Sequence, residues 1–90
     1  MPVRIHIPPP MRQQTDGHAV VDVEATTIQG ALDDLGRKYP GVTQRIFENG
    51  QVRRFVNIFL NDEDIRYLEN LATPVKSGDE LSVIPAVAGG

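Results

Sequence analysis

The chain contains no cysteine. That excludes a disulfide, a thiolate nucleophile, an iron–sulfur cluster and any cysteine-based zinc site, and it leaves the redox compartment open. No Gly-x-x-x-x-Gly-Lys-Ser/Thr phosphate loop occurs, so the chain lacks a means of binding ATP by itself. No apolar run is long enough to span a bilayer. The opening MPVRIHIPPPM also lacks the continuous apolar stretch of a signal peptide, which predicts a cytoplasmic protein. Basic residues are in deficit: Lys+Arg number 9 against Asp+Glu 12, and a net charge of −3 argues against a phosphate-tracking surface. Neither nucleic acid nor membrane is therefore an expected partner, and no cofactor is implied.

What is present reads as one small globular domain, since 90 residues with 40% apolar and 23% charged content can fold on a single core. Val3, Ile5 and Ile7 alternate with Arg4 and His6, as in a strand buried on one face, until Pro8-Pro9-Pro10 ends the ladder. After polar turn material from Gln13 to Gly17, Ala19, Val21 and Val23 alternate with Val20, Asp22 and Glu24, and the two strands read as an opening hairpin. Thr26 and Gln29 have capping-box spacing. Ile28, Ala31, Leu32, Leu35 and Tyr39 follow at helical spacing, with acids placed early and bases late to suit the helix dipole. Gly36 is a mild internal weakness, and Pro40-Gly41 is expected to stop the helix.

Val42 to Phe47 reads as a short second helix ending at Asn49-Gly50. Arg54 to Leu60 is the strongest strand pattern, Asn61 to Asp64 is turn chemistry, and Ile65-Arg66-Tyr67 is expected as a short edge strand. Lys76 to Asp79 makes another turn, and Leu81 to Pro85 is the last strand. With one long amphipathic helix covering a mixed sheet, and with the first and last strands parallel and central, the fold class is α+β, of the β-grasp arrangement seen in ubiquitin. The expected organisation is a β-grasp domain over residues 1–86 and a flexible tail over residues 87–90 that ends in Gly-Gly.

Reacting side chains are scarce. His6 and His18 fall in expected strands with no ligand spacing between them, and they read as ordinary strand residues rather than as a metal or catalytic pair. Asp62-Glu63-Asp64 lacks the spaced oxygens and central glycine of a calcium loop, and it reads as a solvated turn. Arg45, Arg53 and Arg54 either meet an acidic partner or simply flank an edge. No serine or threonine sits in a recognisable nucleophile motif. The expectation is a protein that is not itself an enzyme, with no catalytic residue and no metal site.

The final PAVAGG raises a different possibility, because glycines add nothing to a core. Either they are a frayed end or the terminus is the working part. A carboxylate at Gly90 is inert as an acyl donor until a partner adenylates it, and Ala88-Gly89-Gly90 removes every bulky group near the reacting carbon. From Pro85 the extended tail reaches roughly 20 Å, enough to enter a narrow channel while the domain stays outside.

The run RFVNIFLNDEDIRYLENLATPVKSGDELSVIPAVAGG, with its terminal AGG after a hydrophobic strand, resembles the MoaD/ThiS group of ubiquitin-like sulfur carrier proteins. Within that group it looks like the carriers of an alternative cysteine-biosynthesis route, and the likeness runs over essentially the whole length. The resemblance implies that a ubiquitin-activating-type enzyme adenylates Gly90 with ATP and that a sulfur donor then converts it to a thiocarboxylate. It implies further partners: a sulfur-accepting, cysteine synthase-like enzyme, or a molybdopterin or thiazole synthase, and a metalloprotease that releases the product. Val87, Ala88, Gly89 and Gly90 would enter the partner sites. A carrier of this kind needs no thiol of its own.

Alternation along Arg54–Leu60 assigns Val56, Ile58 and Leu60 to the core with Ile28, Leu32, Leu35, Val3, Ile5, Leu81 and Val83. It leaves Phe59, Phe55 and Ile84 as candidate docking residues on the open sheet face, unless the segment from Val42 to Phe47 covers the phenylalanines. Two other functions stay open: a protein modifier whose Gly90 becomes linked to target lysines, and a plain binding module indifferent to its last two residues.

Overall fold

The computed structural model describes residues 2–86. Strands β1 (Val3–His6) and β2 (Val20–Val23) form an antiparallel pair, followed by helix α1 (Ile28–Lys38) and a short helix α2 (Pro40–Ile46). The chain continues through β3 (Phe47–Glu48), β4 (Gln51–Val52), β5 (Val56–Leu60), β6 (Glu63–Asp64) and β7 (Glu80–Pro85). The main sheet has five strands in the order β2-β1-β7-β5-β6, and β3 and β4 make a separate hairpin. β1 and β7 lie side by side, parallel and central, as the β-grasp reading requires.

Alternation decides the two faces of the sheet. Val3, Ile5, Val21, Val23, Val56, Ile58, Leu81 and Val83 are buried, and they meet Ile28, Ala31, Leu32 and Leu35 of α1. Full burial of side chains of this size contributes about 1.5–3 kcal/mol each. The expected core set is inside except Leu60, which is only half-buried. Met11, Thr15, Val42, Ile46, Ile65 and Val75 join it from segments that carry no clean periodicity.

Several local expectations change. The α1 cap is Thr27, not Thr26: its side chain accepts from the Gly30 N–H at 3.0 Å, while Gln29 donates to Asp33 further along the helix. No acid lies in the first turn of α1, although Arg37 and Lys38 do occupy the last. Pro40 ends α1 but also opens α2, where a proline at the first turn sacrifices no hydrogen bond. Asn49-Gly50, at φ 55° and 79°, is a two-residue hairpin turn rather than a helix stop. Asn61-Asp62, at φ 48° and 74°, turns β5 back into β6, so the edge strand is Glu63–Asp64. Ile65–Tyr67 is instead a 3-10 turn capped by the Asp64 side chain. The first connection likewise holds a 3-10 helix, Pro9–Thr15, which Thr15 anchors by donating to the His18 carbonyl at 2.9 Å.

Candidate functional site

The sheet leaves one face open, and its residues follow from the register. Ser82 pairs with His6 on one side and Phe59 on the other, while Ile84 pairs with Asn57. On that face Ile84 is diagonal to Phe59, close enough for large side chains to meet. Ile84 is 46% exposed, Phe59 is half-buried, and Phe55, one residue before β5, is 55% exposed. The segment from Val42 to Phe47 therefore leaves Phe55 uncovered. Beside Ile84 lies a shallow groove of about 410 Å³ formed by Ile7, Pro8–Pro10, Val83 and Pro85, so the apolar surface gathers around the end of β7.

The other end of the same face is polar. Arg4 faces Asp22 at 3.8 Å, and His6 Nε2 meets Glu80 Oε1 at 2.5 Å. His18 stands apart, 6.4 Å from the Tyr39 ring centroid. Among the described residues no group of three His, Cys, Asp or Glu side chains is arranged to hold a metal ion. No helix among them is long and apolar enough to cross a membrane.

One feature of the open face was missed at the level of sequence. Arg66 donates to both carboxylate oxygens of Asp64, from Nη2 to Oδ2 at 2.8 Å and from Nε to Oδ1 and Oδ2 at 3.2 Å, and its Nη2 also donates to Asn57 Oδ1 at 2.8 Å. Asp64 further accepts the Arg66 backbone N–H at 2.9 Å. The guanidinium, then the backbone N–H, hold the Asp64 carboxyl below its ordinary value against the opposing effect of burial. The Asp64-x-Arg66 spacing was its only sequence signal. The result is a fixed polar clamp at Asn57, directly across from Ile84.

At the root of the tail, the Ala86 N–H donates to the Phe55 carbonyl and keeps β7 in register to the last described residue. A second groove of about 690 Å³ opens here, and its lining brings Arg45, Arg53 and Arg54 together with Phe55, Pro85 and Ala86. Arg53 is anchored twice: its N–H donates to the Ile46 carbonyl at 2.8 Å and its Nε to the Gln44 carbonyl at 3.0 Å. The sequence groups these arginines as residues that either meet an acidic partner or flank an edge, but it does not show that they share a groove with the root of the tail. Their junction depends on α2 and the β3–β4 hairpin folding back beside β5. The expected tail residues Val87, Ala88, Gly89 and Gly90 lie outside the described residues.

A model of the ThiS family matches residues 5–90. Over 93 residues the chain is 39% identical to the sulfur carrier protein CysO of Mycobacterium tuberculosis, covering 100% of both chains. Over 70 residues it is 39% identical to small archaeal modifier protein 3 of Haloferax volcanii, covering 78% of this chain and 75% of that one. The fold superposes with a TM-score of 0.92 on a chain of the crystal structure of the Amycolatopsis orientalis BexX/CysO complex. The identity there is 36%, with 98% of this chain and 99% of that chain covered.

Proposed function

Because the chain belongs to the ThiS family, we propose that it is a sulfur carrier whose C-terminal Gly90 is adenylated and then converted to a thiocarboxylate. The observation that carries the reading is the course of β7. It runs through the centre of the sheet and emerges at Ala86, leaving Val87–Gly90 to follow from the rim of an exposed apolar patch. A rigid body with a docking face beside its exit point is what delivery of a chain end into a partner's active site needs.

In the proposed sequence the Gly90 carboxylate attacks the α-phosphate of ATP in the partner enzyme, expelling pyrophosphate and forming an acyl adenylate. A sulfide sulfur then attacks the carbonyl carbon and expels AMP, leaving a thiocarboxylate. A persulfide donor instead gives an acyl disulfide, whose S–S bond a second thiol of the partner cleaves, forming a disulfide with the donor and releasing the same thiocarboxylate. This chain supplies the reacting end and the docking surface, and the partners supply catalysis. It acts as a co-substrate rather than an enzyme, in the cytoplasm where ATP is at hand. Likeness over 100% of both chains to CysO favours cysteine biosynthesis as the destination of the sulfur. There the carrier's sulfur replaces the activated oxygen group on the serine β-carbon, which departs, giving a thioester. An S-to-N acyl shift turns this into an amide that leaves cysteine on the Gly90 end, and a metalloprotease hydrolyses that amide to release cysteine and restore the Gly90 carboxylate.

Likeness to small archaeal modifier protein 3 supports a second reading, in which the activated Gly90 is transferred to lysines of other proteins. Both readings share the activation step and differ in product. Intact-mass analysis of the protein isolated from its host separates them. Sulfur carriage gives a population with one carboxylate oxygen replaced by sulfur, whereas conjugation gives a ladder of heavier adducts sensitive to isopeptide cleavage. Finding neither, in cells starved for cysteine or otherwise, overturns both.

A further inference from the structure

The groove at the root of the tail inverts the charge of the protein. It gathers the guanidiniums of Arg45, Arg53 and Arg54 against a single carboxylate, Glu48, in a chain whose net charge is −3. The one ion pair there, Arg53 to Glu48 at 3.6 Å, joins side chains that are 42% and 60% exposed and offsets one of the three positive charges. Among the described residues Arg45 and Arg54 have no carboxylate within ion-pair distance. Three guanidinium-bearing side chains against one carboxylate thus leave a net positive charge in one concavity.

One of the three is held in place beside the root of the tail. Arg53 is tied to the carbonyls of Gln44 and Ile46, and the Phe55 carbonyl holds the Ala86 N–H. From Ala86 to Gly90 the extended chain covers about 14 Å. Arginines at the root therefore stand well away from the adenylate at the far end of an inserted tail. Their place in a docked complex is at the mouth of the partner's channel, where the domain stops and the tail goes on.

We propose that this groove is the docking site for an acidic segment, rich in Asp and Glu, at the mouth of the enzyme that activates the tail; the proposal rests on the sulfur-carrier reading. Charge complementarity at such a rim speeds encounter and orients the complex more than it adds to affinity. The tail is thereby aimed before it is threaded. The apolar patch at Phe55 and Ile84 adjoins the groove through Phe55 and Pro85, so the two surfaces form one footprint.

The test is ATP–pyrophosphate exchange with the host's purified adenylating enzyme, using full-length carrier at low and high salt. Arg45→Glu/Arg54→Glu avoids the anchored Arg53 and is compared with Lys76→Glu, an exposed charge reversal in the turn before β7. The expected result for the double variant is a KM for carrier raised about tenfold or more at low salt, with kcat unchanged and the gap shrinking at high salt. Lys76→Glu should match wild type. An unchanged KM in the double variant, with wild type active, overturns this proposal alone. No exchange with wild type, together with no thiocarboxylate in the host, takes the sulfur-carrier reading down with it. Unchanged exchange kinetics combined with salt-sensitive, Arg45- and Arg54-dependent binding of a labelled single-stranded oligonucleotide would assign the groove to nucleic acid instead.

Discussion

Gly36→Ala tests how α1 and α2 are joined. Alanine in a helix interior is normally favoured over glycine by about 1 kcal/mol. Here a Cβ at position 36 would lie 2.5 Å from Thr43 Cγ2, with Thr43 Cβ and Oγ1 at 3.8 and 3.9 Å. Thr43 cannot simply swing aside, because its hydroxyl donates to the Pro40 carbonyl at 2.9 Å and a new rotamer gives up that bond. Overpacking of this kind costs about 1–3 kcal/mol, which outweighs the propensity gain. The expected outcome is a net loss of about 1 kcal/mol, read in urea as a lower midpoint at constant slope. Thr43→Ser removes Cγ2 and keeps the hydroxyl, so in that background Gly36→Ala should stabilise by about 1 kcal/mol. The sign reversal is the signature. A higher midpoint for Gly36→Ala with Thr43 in place would refute the reasoning, and α2, which bears Arg45, would then not be held by this close approach.

Other outcomes follow from the open face and from the carboxylates. Phe59→Ala should weaken activation by the adenylating partner, as a higher KM for carrier, and leave cooperative unfolding in place; an unchanged adenylation rate counts against a docking role. Asp64 and Asp34 are held below their ordinary value of 3.8, Asp64 first by the Arg66 guanidinium and Asp34 first by the Glu24 N–H. For Asp79 burial pushes the value up but is outweighed by the Lys76 N–H and the Asn61 amide, so it too is lowered. Their stabilisation is complete above the ordinary value and is lost as pH falls through the lower folded value. Asp64→Asn should therefore be less stable than wild type at pH 7, and the gap should close on acidification below about 4. A gap that stays constant into that range would show that Asp64 acts by shape rather than charge.

How much was legible in the sequence depended on what each segment packs against. β1, β5 and β7 alternate because one face is buried and the other open, and α1 carries a full apolar stripe, so the central architecture follows from periodicity. The misreadings fall at turns, where one or two residues decide. Asn49-Gly50 and Asn61-Asp62 adopt the left-handed backbone of two-residue hairpins, and each adds strands too short to show a period. Pro40 serves as an end and a beginning at once. At the candidate site, Phe55 and Ile84 were legible as outward residues by parity alone. The Asp64–Arg66–Asn57 clamp was not, because it joins neighbouring segments through a turn whose direction the residues do not state, and the three arginines were legible as a set but not as a groove shared with Pro85 and Ala86.

Everything proposed for this chain depends on the chemistry of its last residue. The direct measurement is thiocarboxylate formation in a reconstituted system of adenylating enzyme, ATP and sulfur donor, followed by intact mass for wild type, for a variant lacking Gly90, and for one carrying an extra residue after it. Wild type should gain sulfur in place of one carboxylate oxygen, and both altered termini should remain unmodified. Normal sulfur loading and delivery by either altered terminus would contradict the assignment of Gly90 as the sulfur-bearing residue.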